Sequence, residues 1–503
     1  MPDRGGFMQS RLMWLIVGTA LVRLAFAWST GLGVDESYMV AAGRTLSLGY
    51  FDHPPASWWL SWGAAHLFGT EAPIAVRLPF ILLFALTTWL MARLGTEVAD
   101  ERAGFWAAVL LNLSPVFGVT GGTWVLPDDP LLCALTGAAL CLVKATILNT
   151  PSWSGLTRPS QANWQKMVGS SPTMTGRAGY WLLTGLCAGL ALSAKYSAIL
   201  TIAGAFLFLA FHTKWLRRPE PYIAALVALL VFSPVVIWNA THHWASFAFQ
   251  GQRATGLRFH PFAPFTVLLG EALFVLPWIW APMLAVACKP RPQERLLVWL
   301  AAPPIVAFAL ISAWSSQRIL FHWAAPGYLM LFPLLGRAVA ERLHVPAVRR
   351  TITVTAALIA SAVAVIGLQT STDFASSLTA NMRKDPTVEG IDWTSIRTDL
   401  TARGLLPPGT IVGVPNWRDG GKIAYALGPD VTVLCLNPDS RQFGFATEAH
   451  VGDNMLLIGL APVTGPFERI EPLPPTSVRH RGRVLQTVSV SLGHRLIAWP
   501  PPK

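Results

Sequence analysis

Long apolar runs constrain this chain more than any other feature. A helix needs about 20 mostly apolar residues to cross the bilayer core. Such runs recur about eleven times, near 11–31, 74–92, 103–120, 130–148, 180–194, 197–212, 221–238, 264–288, 296–314, 324–340 and 351–369. With 53% hydrophobic and only 13% charged residues in 503, the composition lies far from soluble averages. The prediction is an α-helical polytopic membrane protein with about eleven transmembrane helices. Beyond residue 370 the pattern changes, and Pro/Gly turns separate short alternating runs such as Thr410–Val414, Val431–Leu436 and Met455–Leu460. These read as a small extracytoplasmic α/β or β-rich domain over 370–503, following a membrane domain over 1–369.

The first run imitates a secretory signal, with Arg4 and Arg11 ahead of an apolar stretch and Ala25-Phe26-Ala27 as a small-residue cleavage site. Arg23 lies inside that stretch, where a signal carries no charge, so the run reads as the first span. Arg23 itself has two readings: it faces a buried acid or lipid phosphate, or it snorkels to the headgroups. Basic residues then set the orientation, because Arg93, Arg102, Lys144, Lys214, Arg217, Arg218, Lys289, Arg291, Arg337, Arg349 and Arg350 all fall in one set of alternate loops. The positive-inside rule makes that set cytoplasmic, with the C-terminal domain outside. A net charge of +12 spent in this way orients a membrane protein and gives no reason to expect nucleic acid. The connector at 149–178 is expected to be flexible and cytoplasmic. Five cysteines with no CxxC spacing indicate neither a disulfide framework nor a cysteine metal site.

Sorted by side, the acids and outlying cations gather in the outer loops. The large first loop, 32–73, carries Asp35, Glu36 and Tyr38, then Asp52-His53-Pro54-Pro55; the second carries Asp128-Asp129-Pro130. Later outer loops carry Lys195, Arg253, Arg258, Arg318 and His322. Transfer of a sugar needs a carboxylate to take the acceptor proton or stabilise charge on the ring, and cations to hold a departing phosphate. Asp35 or Glu36 can supply the first. Lys195, Arg253, Arg258 and Arg318 can supply the second, with His53 and His322 as further phosphate contacts. Each motif also has a plainer reading. An Asp-Glu pair solvates a helix end, Asp128-Asp129 before Pro130 starts a helix, and His53 serves as a loop hydrogen-bonder. The tryptophans at 58–62 and 238–244 read as an interfacial belt or as a rim that touches sugar and lipid.

The ordered motifs Asp35-Glu36 with Tyr38, Tyr50-Phe51-Asp52-His53-Pro54-Pro55, Pro127-Asp128-Asp129-Pro130, Ser193-Ala194-Lys195-Tyr196 and Phe321-His322-Trp323 resemble the GT-C glycosyltransferases. The likeness is to the family 39-like branch, which includes protein O-mannosyltransferases and the aminoarabinose and galacturonic acid transferases of lipid A. Residues 420–425 and 441–445 resemble the family more loosely. The resemblance implies a polyprenyl-phosphate sugar donor, inversion at the anomeric carbon, and a lipid, lipopolysaccharide or other acceptor at the periplasmic face of the bacterial inner membrane. It puts Asp35 in the catalytic position, with Tyr38, Asp52, Asp128 and Asp129 on sugar or acceptor. Where the aminoarabinose branch reads closer to Phe-Glu-Lys-Pro, this chain has Asp52-His53. A histidine is mostly neutral near pH 7, so a different donor sugar is expected. The cofactor stays open, a divalent metal on Asp128, Asp129 or His53 being one alternative. A flippase of a lipid-linked sugar is the competing function. It predicts charges at mid-membrane and paired half-repeats, whereas nearly all the charges here sit in one set of loops.

Overall fold

The computed structural model describes residues 4–147, 172–254, 259–315, 319–379, 382, 385–446 and 449–499. The eleven apolar runs are helical. In chain order the helices are α1 (Arg4–Ser29), α2 (Val34–Ala42), α3 (Ala56–Phe68), α4 (Pro73–Val98), α5 (Glu101–Leu113), α6 (Asp128–Ile147), α7 (Pro172–Ala194), α8 (Ala198–Phe211), α9 (Glu220–Thr241) and α10 (Ala245–Ala254). They continue with α11 (Ala263–Val275), α12 (Pro277–Ala287), α13 (Arg295–Ser312), α14 (Ala325–Leu329), α15 (Phe332–Arg342) and α16 (Pro346–Thr372). Among the described residues, six helices are long and apolar enough to cross a membrane: α1, α4, α6, α9, α16, and α13 with the turn before it. The run expected as one span at 264–288 is instead two helices bent by 111°. Leu276 at the break has φ 83 and precedes Pro277, whose ring cannot continue a helix. The connector expected at 149–178 lies largely outside the described residues.

Between apolar helices in lipid, close packing takes the place of the hydrophobic effect, and small residues permit it. A Cβ on Gly104 of α5 would stand 2.2 Å from the Ala92 carbonyl of α4, so glycine is required where these helices touch. One polar cluster crosses the bundle. Arg23 is buried and donates from Nη2 to Asn112 Oδ1 and to the Gly118 carbonyl, both at 2.9 Å. That carbonyl belongs to a π-helical turn, Val116–Thr120, whose irregular backbone leaves an acceptor free. Arg23 therefore faces the protein interior and does not snorkel.

The C-terminal part holds a five-stranded sheet of β1 (Ile411–Val414), β2 (Thr432–Cys435), β3 (Met455–Gly459), β4 (Phe467–His480) and β5 (Arg483–Leu496), in the order β2-β1-β3-β5-β4. The β2–β1 and β1–β3 pairings are parallel, and β5 pairs antiparallel with β3 and, as a hairpin, with β4. Arg481 and Gly482 form its two-residue turn, both with positive φ (47° and 83°), the conformation that suits a tight hairpin. Helices α17 (Ser376–Thr379), α18 (Thr394–Ala402), α19 (Trp417–Leu427) and α20 (Phe443–Ala446) complete this part.

Helix α19 lies directly on α2. A Cβ on Gly421 would meet the Tyr38 backbone at 2.8 Å, so only glycine allows this approach. Next to it Lys422 is buried and donates to three carbonyls, Leu32 at 2.6 Å, Ile391 at 2.9 Å and Glu389 at 3.2 Å. Arg44 of the first loop pairs with Glu71 at 2.7 Å and donates to the Ala424 and Gly428 carbonyls, closing the end of α19. First loop and sheet share one apolar core, in which Tyr38, Tyr50 and Trp58 pack with Ile396, Val412, Ile423 and Phe443. Trp58 is wholly buried and stacks on Tyr50 with centroids 4.4 Å apart, so it belongs to this core and not to an interfacial belt.

Candidate active site

The first outer loop makes a helix of the Asp35-Glu36 pair, and the helix gives the two acids different surroundings. Gly33 N-caps α2, and Glu36 at the third helical position accepts the Gly33 N–H at 2.9 Å. Each Glu36 oxygen also accepts from Arg77, at 2.8 and 2.7 Å, and Oε1 takes the Val125 N–H at 3.0 Å. Burial works to raise its pKa, but the charge and hydrogen bonds of Arg77, with the Gly33 and Val125 amides, together hold it below the ordinary value. Four donors leave this carboxylate no free lone pair for a substrate. Asp35, one residue earlier, points into a cavity and accepts no hydrogen bond among the described residues. Burial raises its pKa, Asp52 and Glu36 add to the rise, and Arg418 and Arg441 oppose it.

Asp52 and Tyr38 form the next layer. The Tyr38 hydroxyl donates to Asp52 Oδ1 at 3.0 Å and accepts the Gln442 N–H at 3.0 Å. Asp52 Oδ2 lies 3.4 Å from Arg441 Nη1, and Gln442 Oε1 accepts the Phe51 N–H at 2.9 Å. Gln250 of α10 donates to the Asp52 carbonyl at 2.6 Å. Burial and the Asp52 charge push the Tyr38 hydroxyl well above its usual range, so it stays protonated and acts as a fixed donor.

The second cluster forms where α6 meets the loop after α7. Lys195 Nζ lies 2.9 Å from Asp128 Oδ1, and His53 and His322 line the same cavity. Burial and the neighbouring Lys195 lower the His322 pKa to about 4, against a smaller pull from Asp128, so this imidazole is neutral near pH 7. Asp129 is turned away from the cavity and wholly buried. Neither of its oxygens has a hydrogen-bond partner among the described residues, and Arg23 is its opposing charge.

Seven of the residues singled out in the sequence (Asp35, Tyr38, Asp52, His53, Asp128, Lys195 and His322) thus line one cavity of about 760 Å³. Glu36 and Asp129 do not reach it. Arg258 and Arg318 lie outside the described residues, as does the side chain of Arg253. Phe274, Phe308, Ile311, Ile319 and Leu320 make the other wall apolar. Sequence reasoning missed Arg77, which locks Glu36, and the cavity residues Trp417, Arg418 and Arg441. The only signal for the last was the loose family likeness at 441–445. As for a metal, no three His, Cys, Asp or Glu side chains converge among the described residues. Asp128 already carries Lys195, which fits a resident divalent ion poorly.

A helical bundle with membrane-spanning helices lies under a small mixed sheet, and acids and cations share a half-apolar cavity between them. A family model described as dolichyl-phosphate-mannose-protein mannosyltransferase matches residues 52–158 and 171–238. The lipid A galacturonosyltransferase RgtD of Rhizobium johnstonii is 25% identical over 316 residues, which cover 60% of this chain and 59% of that protein. ArnT from Cupriavidus metallidurans in the apo state superposes with a TM-score of 0.61 at 14% identity, covering 96% of this chain and 98% of ArnT. ArnT bound to undecaprenyl phosphate gives 0.60 with the same coverage. The chain thus shares the fold of these membrane proteins and is similar in sequence, over part of its length, to the mannosyltransferase family model and to RgtD.

Proposed function

We propose that this protein is a glycosyltransferase that moves a sugar from a polyprenyl-phosphate donor to lipid A or another lipopolysaccharide or lipid acceptor. The observation that carries this reading is the cavity. Asp35, without a hydrogen-bond partner among the described residues, shares one space with Lys195, His53 and His322, and an apolar wall runs on from them. A lipid phosphate has this form, a charged head on an apolar chain. RgtD is by name a lipid A galacturonosyltransferase, and ArnT has been solved with undecaprenyl phosphate, which supports this donor and acceptor class.

Asp35 takes the proton of the attacking hydroxyl or stabilises charge on the ring. A single displacement at the anomeric carbon inverts its configuration. Lys195, steadied by Asp128, holds the leaving phosphate, and His53 and the neutral His322 donate hydrogen bonds to it. Arg253, Arg258 and Arg318 keep the phosphate-binding role that their outer-loop position gives them. Glu36, Tyr38 and Asp52 position the loop. The part from 1 to 369 supplies this chemistry, and the part from 370 to 503 covers the cavity. Both face the periplasm from the inner membrane. Purified protein incubated with a radiolabelled polyprenyl-phosphate sugar and lipid A tests the reading: label is expected in the lipid A fraction, and label that stays on the donor contradicts it.

A further inference from the structure

The C-terminal part does more than close the cavity. Arg418 and Arg441 both line it, and no function assigned above uses them. The Arg441 guanidinium carbon lies over the Trp417 indole, 3.7 Å from the ring centroid, and that of Arg418 stands 5.7 Å from the same ring. Trp417 is held in turn by the edge of Tyr38 at 5.2 Å. A guanidinium stacked on an aromatic face keeps its N–H edge available for oxygen ligands. Arg441 Nε is buried and makes no hydrogen bond among the described residues, its nearest acid being Asp439 at 3.8 Å, and Arg418 is exposed within the cavity with no hydrogen bond to any described residue. Arg441 is also held at φ 50, a left-handed conformation that costs a non-glycine residue free energy.

These cations are distinct from the phosphate-holding cluster. Lys195 holds Asp128 Oδ1 at 2.9 Å, whereas Arg441 pairs with Asp52 and lies over Trp417 beside Arg418. The cavity lining therefore carries two cationic groups, Lys195 on one side and Arg418 with Arg441 on the other. We propose that Arg418 and Arg441 form a second anion-binding subsite, which takes an oxyanion of a substrate other than the donor's own phosphate. The inference rests on the transferase reading above. Two sources carry such an oxyanion: a carboxylate on the transferred sugar, as in a uronic acid, or a phosphate on the acceptor lipid.

The test uses the full chain in detergent and measures binding of sodium galacturonate, inorganic phosphate and, as the uncharged control, galactose. Arg418→Gln is the informative variant, because Arg418 holds no other residue in place, whereas Arg441→Gln would also release Asp52. Lys195→Gln reports the other pole. One of the two anions is expected to bind the wild type and the Lys195→Gln protein alike and to lose about tenfold or more in Kd on Arg418→Gln, as removal of a charged hydrogen-bond donor does. Loss for galacturonate assigns the sugar carboxylate, and loss for phosphate assigns the acceptor. Equal binding of galacturonate and galactose with phosphate unaffected, an unchanged Kd for both anions in Arg418→Gln, or no saturable binding of either anion overturns the proposal. The radiolabel assay keeps the two ideas apart. Transfer by the wild type without Arg418-dependent binding sinks the subsite alone, and Arg418-dependent binding without transfer sinks the transferase reading alone.

Discussion

Arg441 Nη1 stands 3.4 Å from Asp52 Oδ2, although 389 residues separate them in sequence. The same aspartate accepts from Tyr38, and the Tyr38 hydroxyl accepts from Gln442, the neighbour of Arg441. First loop and C-terminal part are therefore one hydrogen-bonded unit around the cavity, and loosening either displaces the other.

Arg441→Ala leaves the Asp52 carboxylate, only 2% exposed, without its counter-charge. The expected cost is about 1–3 kcal/mol, seen as a lower unfolding temperature in detergent. Limited proteolysis should then cut within 370–503 before it cuts the bundle. Unchanged protease resistance would show that the pair does not hold the two parts together.

Glu36 and Arg77 make a bidentate pair whose side chains are 3% and 1% exposed. Arg77→Met strands a buried carboxylate and should destabilise by roughly 3–5 kcal/mol. Because the folded state lowers the Glu36 pKa, the pair's contribution is full above the ordinary value of 4.5 and disappears as pH falls through the lowered folded pKa. Thermal unfolding from pH 7 downward should therefore converge for wild type and variant, and a gap that widens in acid would contradict this account.

Gly421→Val puts two methyl groups beyond a Cβ that already stands 2.8 Å from the Tyr38 backbone. Backbone cannot yield as a flexible side chain does, so α19 must lift from α2. Loss of transfer together with a solvent-exposed Tyr38, read by hydrogen exchange of α2, is the expected outcome, and wild-type protection of α2 would refute it.

Much of this architecture was legible because lipid imposes one rule, a run of apolar residues, and the eleven runs are helical. The bend at Leu276 was not legible, since apolar composition is the same on both sides of a break. Strands β1 to β3 appear as short alternating runs. The hairpin does not, because β4 carries Pro472, Pro474 and Pro475, which sequence rules read as loop although an edge strand tolerates them. At the site, loop position put Asp35, Asp52, His53, Asp128, Lys195 and His322 on one side before the fold brought them together. The difference between Asp35 and Glu36 depends on Arg77, 41 residues on, and on the Val125 amide. Arg418 and Arg441 look like ordinary surface charges until the chain returns to its first loop.

The pH dependence follows from Asp35 and His322. The folded protein raises the Asp35 pKa above the ordinary 3.8, so a rate that needs the carboxylate falls as pH drops, with a midpoint on the high side of that value. His322 protonates only near pH 4 and adds no limb around neutrality. A profile of kcat/KM for the wild type should show this acid limb, and Asp35→Glu should move it. An acid limb unmoved in Asp35→Glu would assign it to another group.

The central claim is that Asp35 does the chemistry while Glu36 only holds it in place. Its most direct test is the single-turnover transfer rate of Asp35→Asn, measured with donor bound, in protein that unfolds at the wild-type temperature. A loss of about 10²- to 10⁴-fold with donor affinity within a few-fold of wild type is the predicted result. Transfer at close to the wild-type rate would contradict the account.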